Sequence, residues 1–180
     1  MQPIQPIQPI QSITALAIYT DGSLRRTKRG IIAGYGIFVT DPTTHQTIAR
    51  IAMPFVHAPL TSNRAELYAI YRAIRYVTRR YVFDRLDIYT DSQYAQKSIV
   101  VWITRWKQNN WLTGTGKPVE NIELIQKIDR LIQRHRGIRI TWIPAHTGAT
   151  DHASQCNAIA DRLANKGADK YARLYLEQKN

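Results

Sequence analysis

Two short segments end in the same way. Ile18-Tyr19-Thr20 runs into Asp21-Gly22-Ser23, and Ile88-Tyr89-Thr90 runs into Asp91-Ser92-Gln93. Each joins an apolar, β-branched and aromatic run to a carboxylate, as a buried strand does when it delivers an acid at its carboxyl end. Two such strands side by side would bring Asp21 and Asp91 together. A buried pair of like charges is unfavourable unless a cation lies between them. Two further acids sit in informative places: Glu66 in the first turn of an amphipathic helix, and Asp161 near the expected start of the last one. Hard divalent cations take several carboxylate oxygens plus water. Two such ions about 4 Å apart can clamp the attacking and leaving oxygens of a phosphodiester. Taken singly, each acid has a plainer explanation. Glu66 has capping-box spacing from Asn63, Asp161 could serve a helix dipole, Asp91 could cap a helix, and Asp21 could be a turn residue before Gly22. The four together, in strand and helix contexts of this kind, point to a metal-binding set.

The elements that must position these acids follow from the hydrophobic pattern. Residues 2–10 are a threefold Gln-Pro-Ile repeat, whose prolines fit polyproline II and forbid helix or a central strand; residues 1–12 are expected to be a disordered tail. A strand to Tyr19 comes next, then a basic connection over 24–30 with Arg25, Arg26, Lys28 and Arg29, then strands over 31–39 and 46–56. Helical spacing of Leu67, Ile70, Tyr71, Ile74 and Val77 predicts a helix over 62–80. A strand over 86–89, a broken helix over 92–106, a Gly/Thr loop over 109–118, a helix from Ile122 to Gly137, a strand over 138–143 and a helix from Asn157 to about Leu176 complete the order. Three strands and then strands separated by helices imply an α/β fold with a mixed sheet, its helix-separated strands parallel. One catalytic domain is expected over 13–176, with 177–180 as a tail.

The 180 residues are ample for one domain with a sizeable core. The single cysteine, Cys156, excludes an intramolecular disulfide framework and fits a reducing compartment. No apolar run reaches the roughly 20 residues of a membrane span. The uncharged first twenty residues lack the basic region of a signal peptide, so an intracellular, cytoplasmic or nuclear, location and no membrane partner are expected. The net charge of +12 points to a polyanionic partner, most often nucleic acid. His152 and Cys156 have loose zinc-ligand spacing, but without a second Cys/His pair zinc is not expected.

Thr20-Asp21-Gly22-Ser23, Asn63-Arg64-Ala65-Glu66-Leu67, Thr90-Asp91-Ser92-Gln93, Pro144-Ala145-His146-Thr147-Gly148 and Asn157-Ala158-Ile159-Ala160-Asp161 resemble, in order, the successive motifs of type 1 ribonuclease H. The resemblance runs from about Ile13 to Ala172. It implies a ribonuclease H-like fold, a five-stranded sheet in the order 3-2-1-4-5 flanked by helices. It implies Mg²⁺-dependent cleavage of the RNA strand of RNA–DNA hybrids, with two ions held by Asp21, Glu66, Asp91 and Asp161, Mn²⁺ as a substitute, and 5′-phosphate products. By the same resemblance His146 is an auxiliary residue near the product phosphate. A side chain titrating near neutrality suits that role.

Thr61, Ser62, Asn63 and Gln93 match family positions that contact the hybrid's backbone and minor groove, and Asn157 is counted with the substrate contacts. Trp102, Trp106 and Lys107 lie in a segment resembling the basic protrusion that grips the DNA strand; basic residues interleaved with aromatics suit a nucleic-acid backbone. Arg25 and Arg26 are expected on phosphates beside the metals. They stand where many relatives have a Gly/Asn/Pro-rich loop with an asparagine that reads a 2′-hydroxyl, so this chain departs from the family there. Only the Gln-Pro-Ile stretch precedes the domain, where some relatives carry a hybrid-binding module, so long processive runs are not expected. The whole reads as a monomeric hybrid nuclease. The alternatives are a DNA-acting nuclease of transposase or resolvase type on the same fold, and a non-catalytic hybrid-binding module.

Overall fold

β1 (Gln11–Thr27) is the centre of the sheet. The structure, a computed structural model, describes residues 11–145 and 150–177. On one side β1 pairs antiparallel with β2 (Gly30–Thr40), and β2 with β3 (Thr47–Pro54). On the other it pairs parallel with β4 (Tyr81–Thr90), and β4 with β5 (Ile138–Trp142). The order β3-β2-β1-β4-β5 is the one anticipated. Connection length explains it: tight turns join antiparallel neighbours, whereas parallel neighbours need a crossover. The crossovers are α1 (Ser62–Thr78) between β3 and β4, and the stretch holding α2 (Gln93–Gln96), α3 (Ile103–Gln108) and α4 (Ile122–Arg134) between β4 and β5. The helix α5 (His152–Tyr171) follows β5.

Strand periodicity sorts the side chains of β1 between two layers. Leu16 and Ile18 join the main core with Leu67, Ile70 and Ile74 of α1 and Ile125 and Ile128 of α4. Ala17 and Tyr19 face the other way, against Phe38, Cys156 and Ala160. The sheet is therefore covered on both faces, with α5 on the second.

Several boundaries differ from the sequence reading, and β4 begins at Tyr81, ahead of the expected Leu86. β1 begins at Gln11, whose N–H donates to the Arg80 carbonyl at 3.0 Å, so residues 11 and 12 are strand; the rest of the expected tail lies outside the described residues, as do residues 178–180. β1 also does not stop at Tyr19. Every residue from Ala17 to Thr27 has a partner on β2, Asp21 opposite Gly36 and Arg26 opposite Ile31. Asp21 is therefore within a strand, and the expected basic connection is mostly strand, with only Lys28 and Arg29 in the turn. Finally, α5 starts at His152 because Asp151 caps it, accepting from the Ser154 N–H at 3.0 Å. Asp161 lies more than two turns inside that helix, not near its start. The broken helix over 92–106 is as anticipated: a π-helical turn (Lys97–Val101) separates α2 from α3.

Glycine sets how closely α5 approaches the sheet. A β-carbon on Gly36 would lie 2.2 Å from the Ala160 carbonyl oxygen, and one on Gly34 2.1 Å from the Ala168 nitrogen. From the helix side, one on Gly167 would meet the Met53 carbonyl oxygen at 2.3 Å. These are backbone atoms of packed elements, which cannot rotate aside. Gly36→Ala should therefore destabilise by about 3 kcal/mol, the upper end for overpacking, or roughly 6–12 °C in Tm for a chain of this length. Thermal melting checks this; a shift below 2 °C would mean that α5 can retreat freely.

Candidate active site

Pairing between β1 and β4 ends at Thr20 and Thr90. Beyond that point β1 continues beside β2, while the chain leaving β4 turns into α2. The divergence opens a crevice at the carboxyl ends of parallel strands, the place where ligands sit in open α/β sheets. Asp21 and Asp91 each follow the last paired residue. The Asp91 carbonyl accepts from the Trp142 indole at 3.0 Å, which ties this corner to β5. Glu66 enters from the α1 face. Its approach depends on Gly22, where a β-carbon would lie 2.5 Å from the Glu66 nitrogen. Carboxylate oxygens of Asp21, Glu66 and Asp91 lie within 4.8 Å of one another, a spacing that can hold a metal ion.

The structural jobs that might have explained these acids are done by neighbours. Thr61 caps α1, its hydroxyl accepting from the Arg64 N–H at 3.2 Å. Ser92 caps α2, accepting from the Ala95 N–H at 3.2 Å. Glu66 and Asp91 are left for the crevice.

Electrostatics makes the cluster costly. Asp21 is 7% exposed and Glu66 9%. Burial, and after it the charges of Asp91 and Asp161, pushes Asp21 from 3.8 up to about 7, although the Gly22 N–H pulls the other way. Burial first, then Asp21 and Asp91, holds Glu66 well above the ordinary carboxylate range. Glu66 Oε2 is buried without a hydrogen-bond partner among the described residues. An acid oxygen left bare in a cluster of acids fits a cation, which would satisfy that atom and relieve the repulsion.

Asp161 stands farther off, outside the 4.8 Å grouping, although its charge is felt by both Asp21 and Glu66. It projects from the face of α5 that carries Asn157 and Asn165. Asn157 is buried and donates its amide to Asp91 Oδ2 at 3.0 Å. In this structure it therefore holds a carboxylate in place. His146 lies outside the described residues.

The expected substrate contacts divide into two groups. Ser62, Asn63 and Gln93 are exposed at the N-terminal ends of α1 and α2, on the rims beside Glu66 and Asp91. Thr61 is exposed there too, its hydroxyl engaged in the cap. Trp102 is 38% exposed and tilts against Trp106 at 5.6 Å between ring centroids, whereas Trp106 packs against the main core. Lys107 is paired with Asp129 at 2.7 Å. Arg25 forms an ion pair with Asp169 and donates to the Asn165 carbonyl at 3.2 Å. Because β1 runs on, Arg26 is about 17 Å along the strand from Asp21, which corrects the expectation that it lies beside the metals. The sequence reading missed Trp142 and Asn165. Trp142 carried no signal, while Asn165 shares the four-residue spacing of Asn157 and Asp161 and was legible on that ground.

A family model described as RNase H matches residues 14–169. The ribonuclease H of Methylobacillus flagellatus is 42% identical over 110 residues, covering 61% of this chain and 67% of that protein. The probable ribonuclease H of Acanthamoeba polyphaga mimivirus is 39% identical over 125 residues, 68% of this chain and 54% of that protein. The chain thus spans between half and about two thirds of these relatives. Among solved structures, the PFV RNase H domain superposes with a TM-score of 0.75 at 24% identity, covering 86% of this chain and 94% of that one. A foamy viral protease-reverse transcriptase in complex with RNA/DNA hybrid gives a TM-score of 0.75 at 22% identity, covering 94% of this chain and 22% of that one. At these identities the two structures attest the fold.

Two predictions follow from this geometry. Asp21 binds its proton more tightly when folded without metal than when unfolded, so its contribution to stability falls as pH rises from about 4 to about 7. Asp21→Asn removes that loss. Without divalent metal the variant should melt several °C above the parent at pH 8, with the gain shrinking towards zero near pH 4; a gain that does not vary with pH would place its origin elsewhere. For the tryptophans, Trp102→Ala should weaken binding of a nucleic-acid duplex by about 1–3 kcal/mol, the worth of a stacked contact, with little change in melting. Trp106→Ala should chiefly lower the melting temperature. Reversed outcomes would exchange their roles.

Proposed function

The chain belongs to the RNase H family, and from that premise we propose that it is a metal-dependent endonuclease cutting the RNA strand of RNA–DNA hybrids. The observation that carries the proposal is the crevice at the β1–β4 divergence. There, carboxylate oxygens of Asp21, Glu66 and Asp91 converge within 4.8 Å, and Glu66 keeps its Oε2 buried without a hydrogen-bond partner among the described residues. Relatives named ribonuclease H, and a structural neighbour solved with RNA/DNA hybrid, support the choice of substrate.

Asp21, Glu66, Asp91 and Asp161 would hold two Mg²⁺ ions, with Mn²⁺ able to replace them. When bound, such ions activate water and stabilise a leaving 3′ oxygen. The chain's own residues bind and orient. Ser62, Asn63 and Gln93 on the rims face a wide, shallow minor groove, where 2′-hydroxyls distinguish the RNA strand. Asn157 holds the Asp91 carboxylate from behind. Trp102 offers an exposed ring to the DNA strand, next to the exposed Arg105. Arg25 stiffens β1 against α5. His146, which follows β5 in sequence, would hand a proton to the departing product or loosen its phosphate. No helix among the described residues is long and apolar enough to cross a membrane. We read the working species as a monomer.

Labelled RNA–DNA hybrid, DNA duplex and RNA duplex, each with Mg²⁺, Mn²⁺ or chelator, test the proposal. Cleavage should occur on the RNA strand of the hybrid only, need the metal, and leave 5′-phosphate ends. Asp91→Asn should reduce it at least about 10³-fold while hybrid binding and melting stay near the parent's, because the carboxylate stabilises the transition state through the metal. Cutting of the DNA duplex would favour the DNA-acting alternative, and an Asp91→Asn variant with more than a few per cent of parent activity would overturn the metal assignment.

A further inference from the structure

Asp161 is the outlying member of the acid set, and a side chain on its own helix holds it. Asn165 lies one helical turn beyond it on α5 and donates its side-chain amide to Asp161 Oδ1 at 3.2 Å. The oxygen of that same amide accepts from the Ser23 hydroxyl at 2.8 Å. Ser23 is 9% exposed and sits two residues after Asp21 on the same face of β1. One side chain thus bridges the strand that carries the first acid and the helix residue that carries the fourth.

The bridge belongs to a ladder. Along β1, residues 21, 23 and 25 share a face; along α5, residues 161, 165 and 169 share one. Ser23 meets Asn165, and Arg25 meets both the Asn165 carbonyl and the Asp169 carboxylate. Two residues of strand advance about 6.7 Å, and four residues of helix about 6 Å. The two repeats nearly coincide, so contacts at residues 23 and 25 fix the axial position of residue 161.

We propose that Asn165, held by Ser23, is a positioning residue that sets the direction of the Asp161 carboxylate relative to Asp21 and so completes the outer metal position. The inference rests on the reading of Asp161 as a metal ligand. Rotation of a carboxylate about its last bond is broad and soft. Asp91 is steadied by Asn157, and Asp161 is steadied by Asn165. The residue type matters as well as its place. A neutral amide orients the carboxylate without cancelling its charge, whereas a lysine or arginine there would compete with the cation. Partners that orient a metal ligand typically affect affinity or activity by about 10–100-fold.

The test uses the whole chain with Asn165→Ala, Ser23→Ala and the double variant. Mn²⁺ is titrated by calorimetry into each protein bound to a hybrid whose RNA strand carries deoxynucleotides at the cleavage position. Mg²⁺ dependence, kcat and KM are measured on the normal hybrid. Asn165→Ala should raise the Kd of the weaker-bound Mn²⁺ about 10-fold and lower kcat by a similar factor. KM and melting temperature should change little. Ser23→Ala should act in the same direction by a few-fold, and in the Asn165→Ala background it should add nothing, as expected of residues acting as one unit. A parent-like Mn²⁺ titration for Asn165→Ala, or a lowered melting temperature as its only effect, overturns the proposal. If Asn165→Ala does not fold, Ser23→Ala decides alone, and an unchanged Kd for the weaker ion overturns it. Failure of the underlying reading looks different: Asp91→Asn would then still cleave. An inactive Asp91→Asn beside a parent-like Asn165→Ala removes the relay and leaves the metal site standing.

Discussion

Mutual repulsion among buried carboxylates is the constraint on which the rest of this structure depends. Asp21 and Glu66 are taken out of water beside other acids, and each is driven towards its protonated form. The Gly22 N–H offsets only part of this; the rest of the compensation is supplied by packing some distance away. The main core and the small second core hold both faces of β1 under helices. Glycines let those helices come so close that backbone rests on backbone at Gly22, Gly34 and Gly36. The acids cannot relax apart because the elements carrying them cannot. A site strained in this way is pre-organised for a cation, since the reorganisation that binding would otherwise require has been met during folding.

The hydrogen bonds around the site serve direction where packing serves distance. Asn157 and Asn165 reach from one face of α5 to Asp91 and Asp161. On the opposite side Arg64 pairs with Glu123 and donates to Asn121, which in turn donates to the Tyr94 hydroxyl, so the start of α1 is tied to the segments on either side of the tryptophan protrusion. The two rims of the crevice, where α1 and α2 begin, are thereby tied to each other through Asn121.

Most of the architecture was legible in the sequence. The alternation of strand and helix patterns dictated the mixed sheet, and four of the five motifs located its acids. Reading failed where tertiary pairing decided the outcome. β1 is twice as long as its apolar run because β2 supplies partners as far as Thr27, and no local preference of Arg25 or Arg26 reveals that. The start of α5 was misplaced because Asp151, an N-cap of ordinary type, lies ahead of a stretch with little helical periodicity. Trp106 and Trp102 looked alike as letters; burial separates them, and burial belongs to the fold.

The π-helical turn between α2 and α3 has a geometric consequence of its own. The Trp102 N–H donates to the Lys97 carbonyl at 2.7 Å, a five-residue step in place of four. One added residue advances the phase of everything after it by about 100° around the helix axis. With a regular turn, the face presented by Trp102 would be rotated by roughly a quarter of the circumference. The aim of the protrusion is thus encoded as a count of residues in one turn, separately from the chemistry of the side chains it carries. A lineage can redirect the protrusion by a single insertion or deletion there, leaving its tryptophans and cations untouched.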